Sequence, residues 1–393
     1  MISIPYGEFK FPSISSVIYG KDSIQLLRKR VEELGAKRAL VVTGASISTK
    51  TDLVDRVKSI LGERYAGAFN GIIQHVPRQC VIEGARMARD VGADLLISLG
   101  GSSPSDAAKA INLALTEGEH LDNFFDKYDS LDTIPASQYM KIKLNQIAIP
   151  TTLSGGEFRG GAGITNTKMK IKEGIHNSRL TPRVIILDPE MTAFTPAELW
   201  TSTGMKLLSD CFSKACAPTP PPFSEALQLN AIHLINQYLT PSTREPLDLG
   251  ARAMLLHTVW ESTYGGEAMG LGMIAALRHQ IGGAYGVAHG FASTIVFPYC
   301  IDFSRPLIDD YLVPIAKALD LPIKDTATTA GAVVDRVKEL VSETGLPTKL
   351  RDVGIPKDGL QFIAEASLQD FFVRSSMKQI TTEQLLDLLE KAW

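Results

Sequence analysis

The stretch Asp94-Leu-Leu-Ile-Ser-Leu-Gly-Gly-Ser-Ser-Pro-Ser-Asp106 decides how the first half of the chain is read. Its apolar run has the length of a buried strand and ends in two glycines, and a helical pattern opens directly behind them. In that order, small residues let the backbone approach a phosphate while helix N-terminal amides point at the anion. The same order also reads as a plain strand-to-helix turn with Pro104 in the first helical turn. The residues alone leave both open.

Three more runs resemble this strand: Arg38-Ala-Leu-Val-Val-Thr43, closed by Gly44, then Gln146-Ile-Ala-Ile-Pro150, then Arg183-Val-Ile-Ile-Leu-Asp188. Amphipathic stretches over 23–34 and 52–61 predict helices between them. Strands alternating with helices predict βαβ units and a parallel sheet, whose ligands sit at the carboxyl ends of its strands. A second loop, Pro150-Thr-Thr-Leu-Ser-Gly-Gly-Glu157, follows a strand in the same way. Its hydroxyls and glycines suit a cofactor groove, and equally an ordinary loop.

The pattern changes near Asp188-Pro189, which sets the expected domains at 1–193 and 194–393. Pro196-Ala-Glu-Leu199 and Ser224-Glu-Ala-Leu227 read as helix starts, and 248–264 and 270–284 as long helices. Ala217-Pro-Thr-Pro-Pro-Pro-Phe223 breaks the helical pattern. A third motif, Arg278-His-Gln-Ile-Gly-Gly-Ala-Tyr-Gly-Val-Ala-His-Gly290, places His279 and His289 around a glycine-rich turn. Such a pair can move protons or ligate a metal. Taken singly, each is as readily a structural histidine.

The 393 residues are 45% hydrophobic and 21% charged, with 40 basic against 43 acidic side chains. This balance excludes a strongly basic nucleic-acid footprint and an acidic disordered chain. Cys80, Cys211, Cys216 and Cys300 form no CxxC pair, so ordinary thiols are expected rather than disulfides or structural zinc. Residues 1–16 lack a basic segment followed by an apolar one, and no apolar run reaches the roughly 18 residues of a membrane span. A cytoplasmic enzyme acting on small molecules, without nucleic acid or membrane as partner, is the expectation.

The three motifs, in this order, resemble the iron-containing (group III) alcohol dehydrogenase family, most closely its maleylacetate reductase branch. The resemblance runs from Ser16-Val-Ile-Tyr-Gly20 to Gly354-Ile-Pro-Lys-Asp-Gly359. It implies a Rossmann-like N-terminal domain and an all-α C-terminal domain, the dehydroquinate synthase-like architecture, with the active site in the cleft between them. It further implies NAD(P)H as cofactor and a homodimer. The family's pyrophosphate loop falls on Gly100, Gly101, Ser102, Ser103 and Asp106. Ser102 replaces its third glycine, and the added side chain is expected to crowd the pyrophosphate. The second loop falls on Thr151, Thr152, Ser154, Gly155, Gly156 and Glu157, with Gly156 replacing a serine. Lys172 matches a cofactor-side lysine, and Gly44 stands where NAD-preferring members often carry an acid.

The family's four metal ligands fall on Lys206, Asp210, Ala275 and His289, so only one carboxylate and one imidazole remain. A site without iron or zinc is expected. His279 matches the histidine placed near nicotinamide and substrate. It becomes the proton donor or substrate orienter, with Lys206 and Asp210 beside it as either an electrostatic substitute for the metal or a plain i,i+4 ion pair. Arg159 and Tyr285 are the expected substrate contacts. The leading expectation is a metal-independent NAD(P)H-dependent reductase of a small oxo acid or related carbonyl or enone. The alternatives are a lyase, isomerase or cyclase reusing the same groups, and a binding protein without catalysis.

Overall fold

The computed structural model describes residues 11–118, 143–167, 171–218, 220–264, 269–374 and 380–393. The chain divides into two compact units, Lys10–Thr195 and Pro196–Trp393.

The first unit runs β1 (Ser16–Tyr19), α1 (Leu27–Glu33), β2 (Ala39–Gly44), α2 (Ala45–Lys50), α3 (Leu53–Leu61), β3 (Tyr65–Ile72), α4 (Arg78–Asp90) and β4 (Leu95–Gly100). It continues with α5 (Ser102–Glu117), β5 (Asn145–Pro150), β6 (Gly161–Asn166), β7 (Ile171–His176) and β8 (Val184–Leu187). Six strands form one sheet in the order β1-β8-β5-β4-β2-β3, every pair parallel. The four strands expected from sequence are its centre. They are continuous apolar runs because both faces are covered. Leu40, Val42 and Leu96 pack with α4 and α5 on one face. Val41, Leu95, Ile97, Ile147 and Ile149 pack with α1 and α3 on the other.

Three features depart from expectation. β1 and β3 complete the sheet at its two edges, and β6 pairs with β7 as an antiparallel hairpin. The stretch 23–34 opens as a 3-10 turn, Ser23–Leu26, before α1 begins. Chain order reverses between β2 and β4, so Gly44, Gly100 and Pro150 end neighbouring strands at a switch point, where such sheets take ligands.

The second unit is helical: α6 (Ala197–Ala215), α7 (Pro222–Arg244), α8 (Leu249–Tyr264), α9 (Gly272–Tyr285), α10 (His289–Ala318), α11 (Thr326–Glu343), α12 (Gly359–Leu368), α13 (Phe371–Arg374) and α14 (Thr382–Ala392). Trp200 fixes α6 from within. It is fully buried, donates from Nε1 to Ser242 Oγ of α7 at 2.9 Å, and carries the Arg252 guanidinium of α8 4.3 Å over its ring. Burial lowers the Arg252 pKa to about 10. All four cysteines are buried free thiols, and burial raises Cys80 to about 11 and Cys211 to about 12. Among the described residues no helix is long and apolar enough to cross a membrane.

Helices α6 and α10 touch at Gly290, where an added Cβ would lie 2.7 Å from Ser202 Cβ and 2.8 Å from its backbone. Ser202 sits four positions before Lys206, so this crossing sets the height of His289 against the Lys206 turn. Gly290→Ala is therefore expected to cost about 1–3 kcal/mol in urea unfolding by overpacking the crossing. A neutral result would show that the two helices can part freely.

Candidate active site

In the first unit the site begins where β4 gives way to α5. Gly100 has φ +139°, a conformation that L side chains rarely adopt, and an added Cβ would lie 2.8 Å from Pro104. Gly101 is the N-cap of α5, and no side chain caps it. The second loop lies against this turn: Thr151 N donates to Gly100 O at 3.0 Å, and Thr152 Oγ1 donates to Ser154 Oγ at 3.0 Å. A Cβ on Gly101 would be 3.1 Å from Thr152 Oγ1.

Ser102, expected to crowd the pyrophosphate, has Gly156 beside it. A Cβ on Gly156 would lie 3.2 Å from Ser102 Cβ, so Ser102 occupies room that a side chain at 156 would need. The glycine and serine of the resembled pattern have changed places across one contact. Asp106 Oδ2 accepts from Gly163 N at 3.2 Å. Lys109 was not singled out from sequence, yet it is fully buried and donates to Gly156 O at 2.7 Å and Gly161 O at 2.9 Å. Arg159 is exposed just after the Gly156–Phe158 turn. Lys172 lies in β7, and its side chain falls outside the described residues.

In the helical unit, Asp210 is 4% exposed and lies between two cations. Lys206 Nζ is 2.7 Å from one oxygen, and Arg278 Nη1 donates to the other at 2.7 Å. Arg278 stands on α9 beside His279. His279 Nδ1 meets Asp370 Oδ2 at 2.9 Å, while Asp370 Oδ1 accepts from Phe372 N at 2.9 Å. The His279 and His289 rings meet edge to face with centroids 5.8 Å apart. His289 also flanks Gly282, where a Cβ would lie 3.2 Å from its ring. Tyr285 turns its hydroxyl to Gly359 at the start of α12. Lys206, Asp210, His279 and His289 thus belong to one constellation, completed by Arg278 and Asp370.

A six-stranded parallel sheet carrying a glycine turn, joined in one chain to a helical unit carrying a His–Asp pair, is an arrangement suited to an enzyme that takes a ligand at the ends of its strands. The model for iron-containing alcohol dehydrogenases matches residues 15–189, and that for the C-terminal part of the Fe-containing alcohol dehydrogenase family matches 200–393. The chain belongs to this family and is an oxidoreductase. It is 28% identical over 390 residues to the NADPH-dependent butanol dehydrogenase of Clostridium saccharobutylicum, covering 97% of each chain. It is 26% identical over 380 residues to the maleylacetate reductase of Burkholderia cepacia, covering 97% of this chain and 96% of that one. The solved structure of a 1,3-propanediol oxidoreductase superposes with a TM-score of 0.88 at 24% identity, over 98% of this chain and 100% of the other.

The donor set does not fit a divalent metal. Both Asp210 oxygens face cations, Lys206 is itself a cation, and Ala275 offers no lone pair. Among the described residues no three His, Cys, Asp or Glu side chains come together as a ligand group.

Burial pushes the Asp370 carboxyl up. The His279 hydrogen bond and charge, the Phe372 amide and the Arg278 charge outweigh it and hold the pKa below the ordinary value. A depressed carboxylate stabilises the fold above its unfolded pKa of about 3.9, and that contribution is lost as pH falls through the folded value. Asp370→Asn should therefore lower stability at neutral pH, with the gap from the native chain narrowing below about pH 4. Urea unfolding across pH checks this. A gap that does not change with pH would rule out the carboxylate charge as its source.

Proposed function

We propose that the protein is an NAD(P)H-dependent reductase of a small oxo acid or related carbonyl or enone, as in maleylacetate reductase, and that it works without a metal ion. The observation that carries this reading is the pair of cations on the single Asp210 carboxylate. Two positive side chains on one negative one leave a net positive charge, fixed where charge must be met. Lys206, 16% exposed against 7% for Arg278, is the cation placed to anchor a substrate carboxylate or meet a developing oxyanion.

The first unit fits the nicotinamide dinucleotide. Its pyrophosphate suits the Gly100-Gly101-Ser102-Ser103 turn and the N-terminal amides of α5, with Asp106, Thr151, Thr152 and Ser154 as the surrounding polar groups. Gly44 ends β2 without an acid to repel a 2'-phosphate, so NADH and NADPH both serve. The bound cofactor supplies the hydride. His279 supplies the proton: an ionised Asp370 can only accept, so the hydrogen of Nδ1 is committed to it and proton traffic runs through Nε2. His289 packs against the His279 ring and keeps its edge in place. Arg159 and Tyr285 serve the substrate side.

Protein stripped with a chelator should bind NADH or NADPH at micromolar strength in calorimetry. Absence of binding up to millimolar cofactor would remove hydride transfer. His279→Ala should cut turnover by about 100-fold or more while cofactor still binds, and unchanged turnover would take His279 out of the reaction. Lys206→Met should raise KM for a carboxylate substrate by about 10–100-fold, the worth of a charge-assisted bond. Equal losses on substrates with and without a carboxylate would assign Lys206 to structure alone.

A further inference from the structure

Strands β1, β8 and β5 lie side by side in the sheet, and residues just before them bound an open cavity of about 430 Å³. It lies at the amino ends of these strands. Strand β5 has six residues, so roughly 16 Å of strand separates Asn145, in the cavity wall, from the Pro150 end beside the glycine turn. Three lining side chains are cations: Lys143 two residues before β5, Arg183 one before β8, and Arg179 in the turn Ser178–Leu180. Among the described residues no acid lines the cavity. Glu33, next to the lining Leu34, is already paired with Arg30 at 2.6 Å. The backbone of Arg183 is tied to both neighbouring entries, its N–H donating to Gln146 O at 2.8 Å and its carbonyl accepting from Ser15 N at 2.7 Å.

We propose that this cavity binds a small phosphomonoester with an apolar body. Fold-building bonds account for only part of the charge. Lys143 Nζ donates to Leu115 O in the last turn of α5 at 2.9 Å, where a cation answers the helix dipole. Arg183 Nη1 donates to Ser13 O at 2.9 Å, which leaves most of its guanidinium donors uncommitted. Arg179 Nη and Nε make no hydrogen bond or ion pair among the described residues. A guanidinium is a planar fork that matches two phosphate oxygens, and two such forks with an ammonium call for a dianion rather than a single carboxylate. Leu34 and Leu144 supply an apolar wall for the rest of the ligand, and the volume is that of a small-molecule site. The cavity stands at the opposite end of β5 from the glycine turn, so this inference is independent of the cofactor reading.

The test titrates phenyl phosphate, inorganic phosphate and benzoate into the full chain by calorimetry at low ionic strength. Phenyl phosphate is expected to bind about tenfold or more tightly than inorganic phosphate, through its ring, and than benzoate, through its second charge. Arg179→Gln and Lys143→Gln are each expected to weaken phenyl phosphate about tenfold or more. Both side chains are exposed, so neither change disturbs the core, and urea unfolding of the variants checks this. Absence of phenyl phosphate binding at millimolar concentration overturns the inference. So does binding that both variants retain at native strength, since the anion would then sit elsewhere, as at the glycine turn. Inorganic phosphate or benzoate binding as tightly as phenyl phosphate overturns the assigned ligand class.

Discussion

Asp210 is a buried carboxylate held by two cations from two helices, and the arrangement of the candidate site in the helical unit follows from it. A buried carboxylate is tolerable only when its partners satisfy it, and taking one partner from a buried pair typically costs about 3–5 kcal/mol. The bond from Arg278 fixes the rotation of α9 relative to α6. Successive helical residues turn by about 100°, so once Arg278 points at Asp210, His279 points round the helix, where Asp370 and His289 meet it. The ion triad therefore sets the direction of the His279 ring, the proposed proton donor, without touching it.

Much of the first unit was legible because burial on both faces writes strands as unbroken apolar runs, as in Leu95-Leu-Ile-Ser-Leu99. The strand β3, Tyr65-Ala-Gly-Ala-Phe-Asn-Gly-Ile72, carries alanines and glycines in place of such a run. It is an edge strand bonded only to β2, so less of it is buried and its pattern is faint. The hairpin β6–β7 alternates as a half-buried pair should, with Ala162 and Ile164 inward, but its glycines masked the period. Nothing in a parallel-sheet pattern announces such an insertion.

The site was legible only where its pairs are local. Lys206 and Asp210 are four apart on one helix, a spacing that brings side chains together by geometry alone. Arg278 stood beside His279 in the motif, but its partner lies 68 positions earlier. Asp370, one of 43 acidic residues, lies 91 positions beyond His279. Such pairs are made by packing and leave no periodic trace. Lys109 is the sharper case. Lysines are rarely fully buried, so sequence reading assigns such a residue to the helix surface, and only the carbonyls of Gly156 and Gly161 explain its place inside.

On the metal-free reading proposed above, the ion triad stands in for the charge of the family's metal. In the resembled pattern a divalent ion bound by one aspartate and neutral histidines carries a net single positive charge. Lys206 and Arg278 around Asp210 carry the same net charge. The field at that place is thus of the same sign and size, while the chemistry of the contact differs. A metal accepts lone pairs and can draw an oxygen into its coordination shell. An ammonium only donates hydrogen bonds, from a point charge on a flexible stem. Such a group is better matched to holding a carboxylate than to ionising an alcohol. That match is why the proposed reading sets reduction of an anionic carbonyl compound ahead of oxidation of a neutral alcohol.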